Sequence, residues 1–197
     1  METIRTFIAI ELDTEILSAL GDLQGRLRKA PWARLGRWVG LESIHLTLKF
    51  LGEVHPGRVP ELLQALQQAC AGVAPFEIAV TGLGCFPNHQ RPRVIWVGVE
   101  DPSGDLKRLQ LAVERELSRL GFQPEGRGFS PHLTLARIRD QASSRERAEL
   151  GAWVGRQAVG RLGTMRVRGV HLIRSVLQPA GPVYTRLGTA PLQPSED

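Results

Sequence analysis

The sequence predicts an α+β protein built as one compact unit of two lobes, with helices packed on the outer side of each of two antiparallel sheets. Amphipathic helical stretches alternate with short strand-like ones along the chain. The chain lacks both the glycine fingerprint and the continuous apolar strands of a parallel doubly wound sheet. An eight-residue segment also occurs twice, which implies two equivalent strands in two related halves.

Arg5 to Leu12 (RTFIAIEL) is short, apolar and partly alternating, as a strand is. Asp13 or Thr14 can cap a helix reaching about Ala30, with Ile16, Leu17, Leu20, Leu23 and Leu27 on one face, and Pro31 stops it. A segment holding Trp32 and Trp38 leads to a strand at Ser43 to Leu51, closed by Gly52. A second amphipathic helix covers about Gly57 to Ala71. Phe76 to Phe86 and Val94 to Glu100 then read as two β segments joined by a turn around Pro87 and Asn88. The order restarts with a helix from Ser103 to Leu120 stopped by Gly121, a Gly-rich loop at Glu125 to Gly128, and a strand from Pro131 to Arg139. A short helix from Ser144 to Val154 follows, then one long β segment from Thr164 to Leu177 and a last strand at Val183 to Leu187. No linker of biased composition divides the chain, so residues 1–190 are expected to form a single bilobal domain and 191–197 a disordered tail.

With 197 residues, 42% hydrophobic and 23% charged, the chain can bury a core without a disulfide or metal staple. Its net charge of +5 favours an anionic partner. Of its 25 cations 22 are Arg, whose planar fork matches phosphate oxygens, although Arg-rich coding and a solvated surface give the same composition. Cys70 and Cys85 form no CxxC and read as buried thiols of a reducing compartment. The N-terminus lacks signal-peptide features and no apolar run is long enough for a membrane span, so a cytoplasmic protein with no membrane association is expected.

The repeat is Ser43-Ile44-His45-Leu46-Thr47-Leu48-Lys49-Phe50 against Ser130-Pro131-His132-Leu133-Thr134-Leu135-Ala136-Arg137, identical at five of eight positions. The strand period of two puts His45 with Thr47, and His132 with Thr134, on one face of their strands. Two such strands facing each other would supply two imidazoles and two hydroxyls. Opening a phosphodiester needs a base to take a proton from water and an acid to protonate the departing oxygen; His serves both, and Thr hydroxyls can hold the phosphate oxygens. A lone His on a strand is usually structural, but here two of only five His occupy the same tetrapeptide. The motifs contain no Asp, Glu or Cys and no HExxH, so no metal and no cofactor is expected. His55, His89 and His171 lie outside the repeat and read as structural or solvated, and the four Trp are left unassigned.

Together with RTFIAIEL at 5–12, HLTLKFLGEV at 45–54, RPRVIWVGV at 91–99, FSPHLTLAR at 129–137 and SVLQPAGPVYTRLG at 175–188, the paired motifs resemble the 2H phosphoesterases. Within that superfamily the chain is similar to the RNA 2′,3′-cyclic phosphodiesterases of the LigT or ThpR type, first called 2′-5′ RNA ligases. The resemblance implies a bilobal, pseudo-two-fold fold with the motif strands facing a central groove, and metal-independent hydrolysis leaving a 2′-phosphate. It implies His45 as proton donor to the leaving 3′ oxygen and His132 as the acceptor that activates water. Thr47, Thr134 and Arg137 would contact phosphate, and Phe7 would stack on a base or else belong to the core. On a regular strand Arg137 would share a face with Leu133 and Leu135, opposite His132, so a bulge or strand end near Ala136 must turn it. Lys49 could add to the positive field.

The expected substrates are therefore RNA with 2′,3′-cyclic phosphate ends or cyclic nucleotides, acted on by a monomer. Two other readings stay open: joining of tRNA halves through a 2′-5′ linkage by the reverse reaction, and a non-catalytic RNA-binding module driven by the arginines.

Overall fold

The fold was analysed in a computed structural model, which describes residues 2–126, 128–179 and 181–194. Its strands are β1 (Ile4–Glu11), β2 (Gly36–Trp38), β3 (His45–Val54), β4 (Phe76–Phe86), β5 (Val94–Glu100), β6 (His132–Ile138), β7 (Arg161–Val167), β8 (Gly169–Gln178) and β9 (Gly181–Pro191). The helices are α1 (Thr14–Leu27), α2 (Val59–Cys70), α3 (Asp105–Arg119) and α4 (Ser144–Gly155). Asp13 caps α1 by accepting the Ile16 N–H at 2.9 Å, and α4 opens on a capping box between Ser143 and Glu146. Each cap contributes about 1 kcal/mol.

The strands form two sheets in which neighbours run antiparallel, β3-β1-β8-β9 and β2-β6-β5-β4-β7. The bilobal α+β expectation is met. Each motif strand pairs with the strand that precedes the intervening helix: the order β1, α1, β3 repeats along the chain as β5, α3, β6, with each strand pair in its own sheet. The apolar half of each HLTL alternation points inward. Leu46, Leu48, Leu133 and Leu135 join Ile16 and Leu20 of α1, Leu62 and Leu66 of α2, and Leu106 and Leu109 of α3 in one core.

Four expectations are corrected. The segment before β3 contains a short strand, β2, which pairs with β6 through Trp38 opposite Ala136 and Gly36 opposite Ile138. The single β segment expected from Thr164 to Leu177 is two strands in different sheets: the chain changes sheet at Arg168, where the buried side chains shift parity from Met165 and Val167 to Val170 and Leu172. The last strand, β9, is longer than Val183–Leu187, because it pairs with β8 from Gly181–Gln178 to Pro191–Gly169. The start of the expected disordered tail is ordered: Leu192 is 6% exposed, its N–H bonds to the Arg168 carbonyl at 2.8 Å, and Gln193 bridges to Ala71. Residues 195–197, Arg127 of the Gly-rich loop and Ala180 lie outside the described residues.

Candidate active site

His45 and His132 each open their strand. In both, ring Nδ1 is tied to the carbonyl two residues back: His45 to Ser43 O at 2.9 Å and His132 to Ser130 O at 2.7 Å. A carbonyl can only accept, so Nδ1 carries the proton and Nε2 is the atom left free for chemistry. The shared Ser-x-His spacing of the repeat thus fixes the same tautomer twice.

Each imidazole lies in an aromatic cradle. The His45 ring stacks on Phe7 with centroids 4.6 Å apart and meets the edge of Tyr184 at 5.1 Å. Phe86 stands edge-on to His132 at 4.9 Å, and Trp96 lies 6.4 Å away. Burial pushes His45 down to about 4; the Ser43 carbonyl and the Glu11 carboxylate pull the other way, and Arg137 pushes it lower. Glu11 is the direct cross-strand partner of His45, whereas Gly98 is the partner of His132. Although the local geometry is repeated, the electrostatic setting is not.

The two motif strands, β3 and β6, lie against each other although they belong to different sheets, and Arg137 of the second sheet is near enough to act electrostatically on His45 and Tyr184 of the first. The geometric difficulty over Arg137 is resolved by a bulge. Trp96 lies opposite Thr134 and Ile95 opposite Ala136, so Leu135 is an extra residue in β6. Leu135 and Ala136 are consecutively buried, and Arg137 emerges on the face of His132 and Thr134. The α1 residue Gln24, itself buried, donates its amide to the carbonyls of Leu135 at 3.2 Å and Val39 at 2.9 Å, pinning that bulge.

β3 carries the same device. Ala9 faces Thr47 and Ile8 faces Lys49, which leaves Leu48 as the extra residue. Lys49 is therefore turned inward. It is 1% exposed and bonded to Glu114 at 2.7 Å and the Gln123 carbonyl at 2.8 Å, so it adds no field to the groove and instead ties β3 to α3 and the chain beyond it. The residue that emerges in the position of Arg137 is Phe50, 55% exposed. Thr47 and Thr134 are partly exposed, and neither hydroxyl bonds to protein among the described residues.

Phe7 does not present a face to a base. It is 3% exposed and walled in by His45, Tyr184 at 5.2 Å and Phe50 at 6.0 Å. Its ring packs against that of His45. Of the other His, His55 caps a short 3-10 turn by accepting the Gly57 N–H, while His171 bonds Thr189 Oγ1 at 2.9 Å. Sequence reasoning missed Glu11, Phe50 and Tyr184. Only Phe50 left a signal, since it stands in the repeat where Arg137 stands in the second copy. Among the described residues no three or more His, Cys, Asp or Glu cluster as metal ligands would.

A sequence model of the LigT like phosphoesterase family matches the chain twice, over residues 10–96 and 97–184. The chain belongs to this family. The two matches start 87 residues apart, the same separation as His45 and His132, so this LigT-like chain carries one motif at the same place in each half. Its relatives include the RNA 2′,3′-cyclic phosphodiesterase of Methanothermobacter thermautotrophicus, 37% identical over 92% of this chain and 95% of that one. The enzyme of that name from Aquifex aeolicus is 31% identical over 94% and 95%. Among solved structures, a Thermus thermophilus protein superposes with a TM-score of 0.79 at 31% identity, covering 96% of this chain and 98% of that one. E. coli LigT complexed with 3′-AMP superposes with a TM-score of 0.74 at 26% identity, covering 97% and 99%.

Proposed function

We propose that the protein hydrolyses 2′,3′-cyclic phosphate ends of RNA, or small 2′,3′-cyclic nucleotides, to 2′-phosphomonoesters, with no metal ion or cofactor. The observation that carries this is the pair of imidazoles, each tied back through Nδ1 so that Nε2 is free, on two neighbouring motif strands. The relatives named RNA 2′,3′-cyclic phosphodiesterase over nearly the whole chain support the substrate class.

In this mechanism His132 Nε2 takes a proton from water as its oxygen attacks phosphorus. The bond from phosphorus to the 3′ oxygen breaks, and His45 Nε2 gives that oxygen its proton, leaving a 3′-hydroxyl and a 2′-phosphate. Glu11 opposite His45 and Gly98 opposite His132 support this division, because the carboxylate stabilises the imidazolium on one side only. Burial holds His45 near 4 in the free protein, and the bound phosphate's own negative charge raises it toward the protonated form that donation requires. Thr47, Thr134 and Arg137 hold the non-bridging oxygens as charge develops on them. The enzyme works as a monomer in the cytoplasm, a reducing setting that suits its two buried free thiols.

The test is hydrolysis of a cyclic-phosphate-ended RNA and of 2′,3′-cyclic nucleotides with product analysis. His45→Ala and His132→Ala are expected to lose at least about 100-fold in kcat, as removal of a general acid or base does. Unchanged rates in those variants, or loss of activity in EDTA, would overturn the reading. Supplying RNA with a 5′-hydroxyl in the same assay reads any 2′-5′ joined product directly.

A further inference from the structure

We propose that the outer half of the β8–β9 hairpin is an RNA-binding arm that holds the nucleotides on the 5′ side of the cyclic phosphate. The proposal rests on the phosphodiesterase reading and extends it to the chain beyond the reacting end.

The pairing pattern defines the arm. β8 pairs with β1 only from Ala9–His171 to Arg5–Ser175, whereas β8 and β9 continue to pair with each other through Val176–Val183, Leu177–Pro182 and Gln178–Gly181. Beyond Ser175 the hairpin is a ribbon with no third strand. A two-stranded ribbon is marginal in water, and large apolar side chains on it call for a partner. Leu177, on the His45 side of the ribbon, is 69% exposed, and the Val176–Val183 rung on the opposite face is also exposed, at 38% and 45%.

The arm is continuous with the active site. Ile173 and Tyr184 pack with Phe7 and Ala9 on the His45 side of the sheet. Strand alternation from Ile173 puts Ser175 and Leu177 on that side, and alternation from Tyr184 adds Pro182. The rung Ser175–Tyr184 is thus the inner end of the arm and Leu177–Pro182 the outer end. Arg5 lies on the same face as Phe7 and opposite Ser175, close enough to act electrostatically on Tyr184. It is exposed and makes no ion pair among the described residues.

An aromatic ring, a free guanidinium and an apolar tip in a row are what a single RNA strand needs: a surface for bases and ribose, and a cation for phosphate. The chemistry of the substrate also fixes the direction. A 2′,3′-cyclic phosphate closes the 3′ end, so every additional nucleotide must leave the site on the 5′ side. Cyclic mononucleotides would not reach Leu177.

Wild type, Leu177→Ser and the double variant Arg5→Gln/Leu177→Ser would be assayed on a cyclic-phosphate-ended oligoribonucleotide and on the matching 2′,3′-cyclic mononucleotide. Wild type is expected to prefer the oligonucleotide by about 10-fold in kcat/KM, the scale of one base contact. The double variant is expected to lose that preference through KM, with mononucleotide kinetics and melting temperature unchanged. No oligonucleotide preference in wild type, an equal preference in the double variant, or a parallel fall on both substrates overturns the arm. Sedimentation showing a dimer that Leu177→Ser dissociates would make the tip a contact between copies and overturn it too. Failure of wild type on both substrates would instead overturn the phosphodiesterase reading, and the arm with it.

Discussion

His45 and His132 are the same side chain held by the same hydrogen bond, and what separates them is the residue across the strand. Glu11 gives His45 a carboxylate, itself anchored by Arg186, while Gly98 gives His132 none. Glu11→Gln is therefore expected to move the alkaline limb of the kcat–pH profile to lower pH, because His45 then loses its proton more readily; an unmoved limb would sever Glu11 from the chemistry. Stability should carry the same signature. His45 is held near 4 in the folded protein against 6.5 in an unfolded chain, so below 6.5 the unfolded state takes up a proton that the folded state refuses. Stability is fully present above pH 6.5 and falls as pH drops toward 4, with His171, also lowered by burial, acting in the same direction. Melting temperatures across that range should fall less steeply for His45→Gln. The two His and two Thr were legible in the sequence because the repeat marks them. Glu11 and Tyr184 were not, because they reach His45 only through strand pairing and packing that no spacing encodes.

The matched bulges act at the level of the strand. One extra residue at Leu48 and one at Leu135 reverse the side-chain parity, so that β3 offers Phe50 to the groove and β6 offers Arg137. The need for a bulge near Ala136 could be read in advance, since Arg137 has the wrong parity on a regular strand. The strut that holds it could not, because Gln24 lies 111 residues away in sequence. Gln24→Leu removes both amide contacts and is expected to cost about 1–3 kcal/mol, the usual scale for buried polar groups left without a partner, although Leu135 O keeps the Val39 N–H. A melting-temperature loss together with a raised KM would show that the bulge and Arg137 move together; lost stability with an unchanged KM would separate them. Helix ends and most strands followed from caps and periodicity. The split between β7 and β8 did not, since pairing partners lie far away in the chain and the one-residue parity shift between Val167 and Val170 names no partner strand.

At the level of the whole molecule, the site exists only when both lobes are assembled, because each sheet supplies one His and one Thr. Fold class and the internal duplication were visible in the sequence because HLTL recurs in equivalent settings. How the halves are woven together was not visible. The chain up to the β4–β5 turn contributes β1 and β3 to one sheet and β2 and β4 to the other, while the chain after that turn completes the first sheet with β8 and β9. The helices cross as well: α1 packs on β7 and α3 on β3. Only the exposed turn at residues 87–91 passes from β4 to β5 near the boundary between the halves.

That interleaving makes the covalent join dispensable once folding is complete. A chain cut once in the 87–91 turn should remain one particle, its two pieces co-eluting and retaining phosphodiesterase activity until denaturant is added. Separate pieces that each keep their shape would show that the weave is not what holds them. Each half alone would lack the strands that finish its own sheet, so neither is a miniature of the whole.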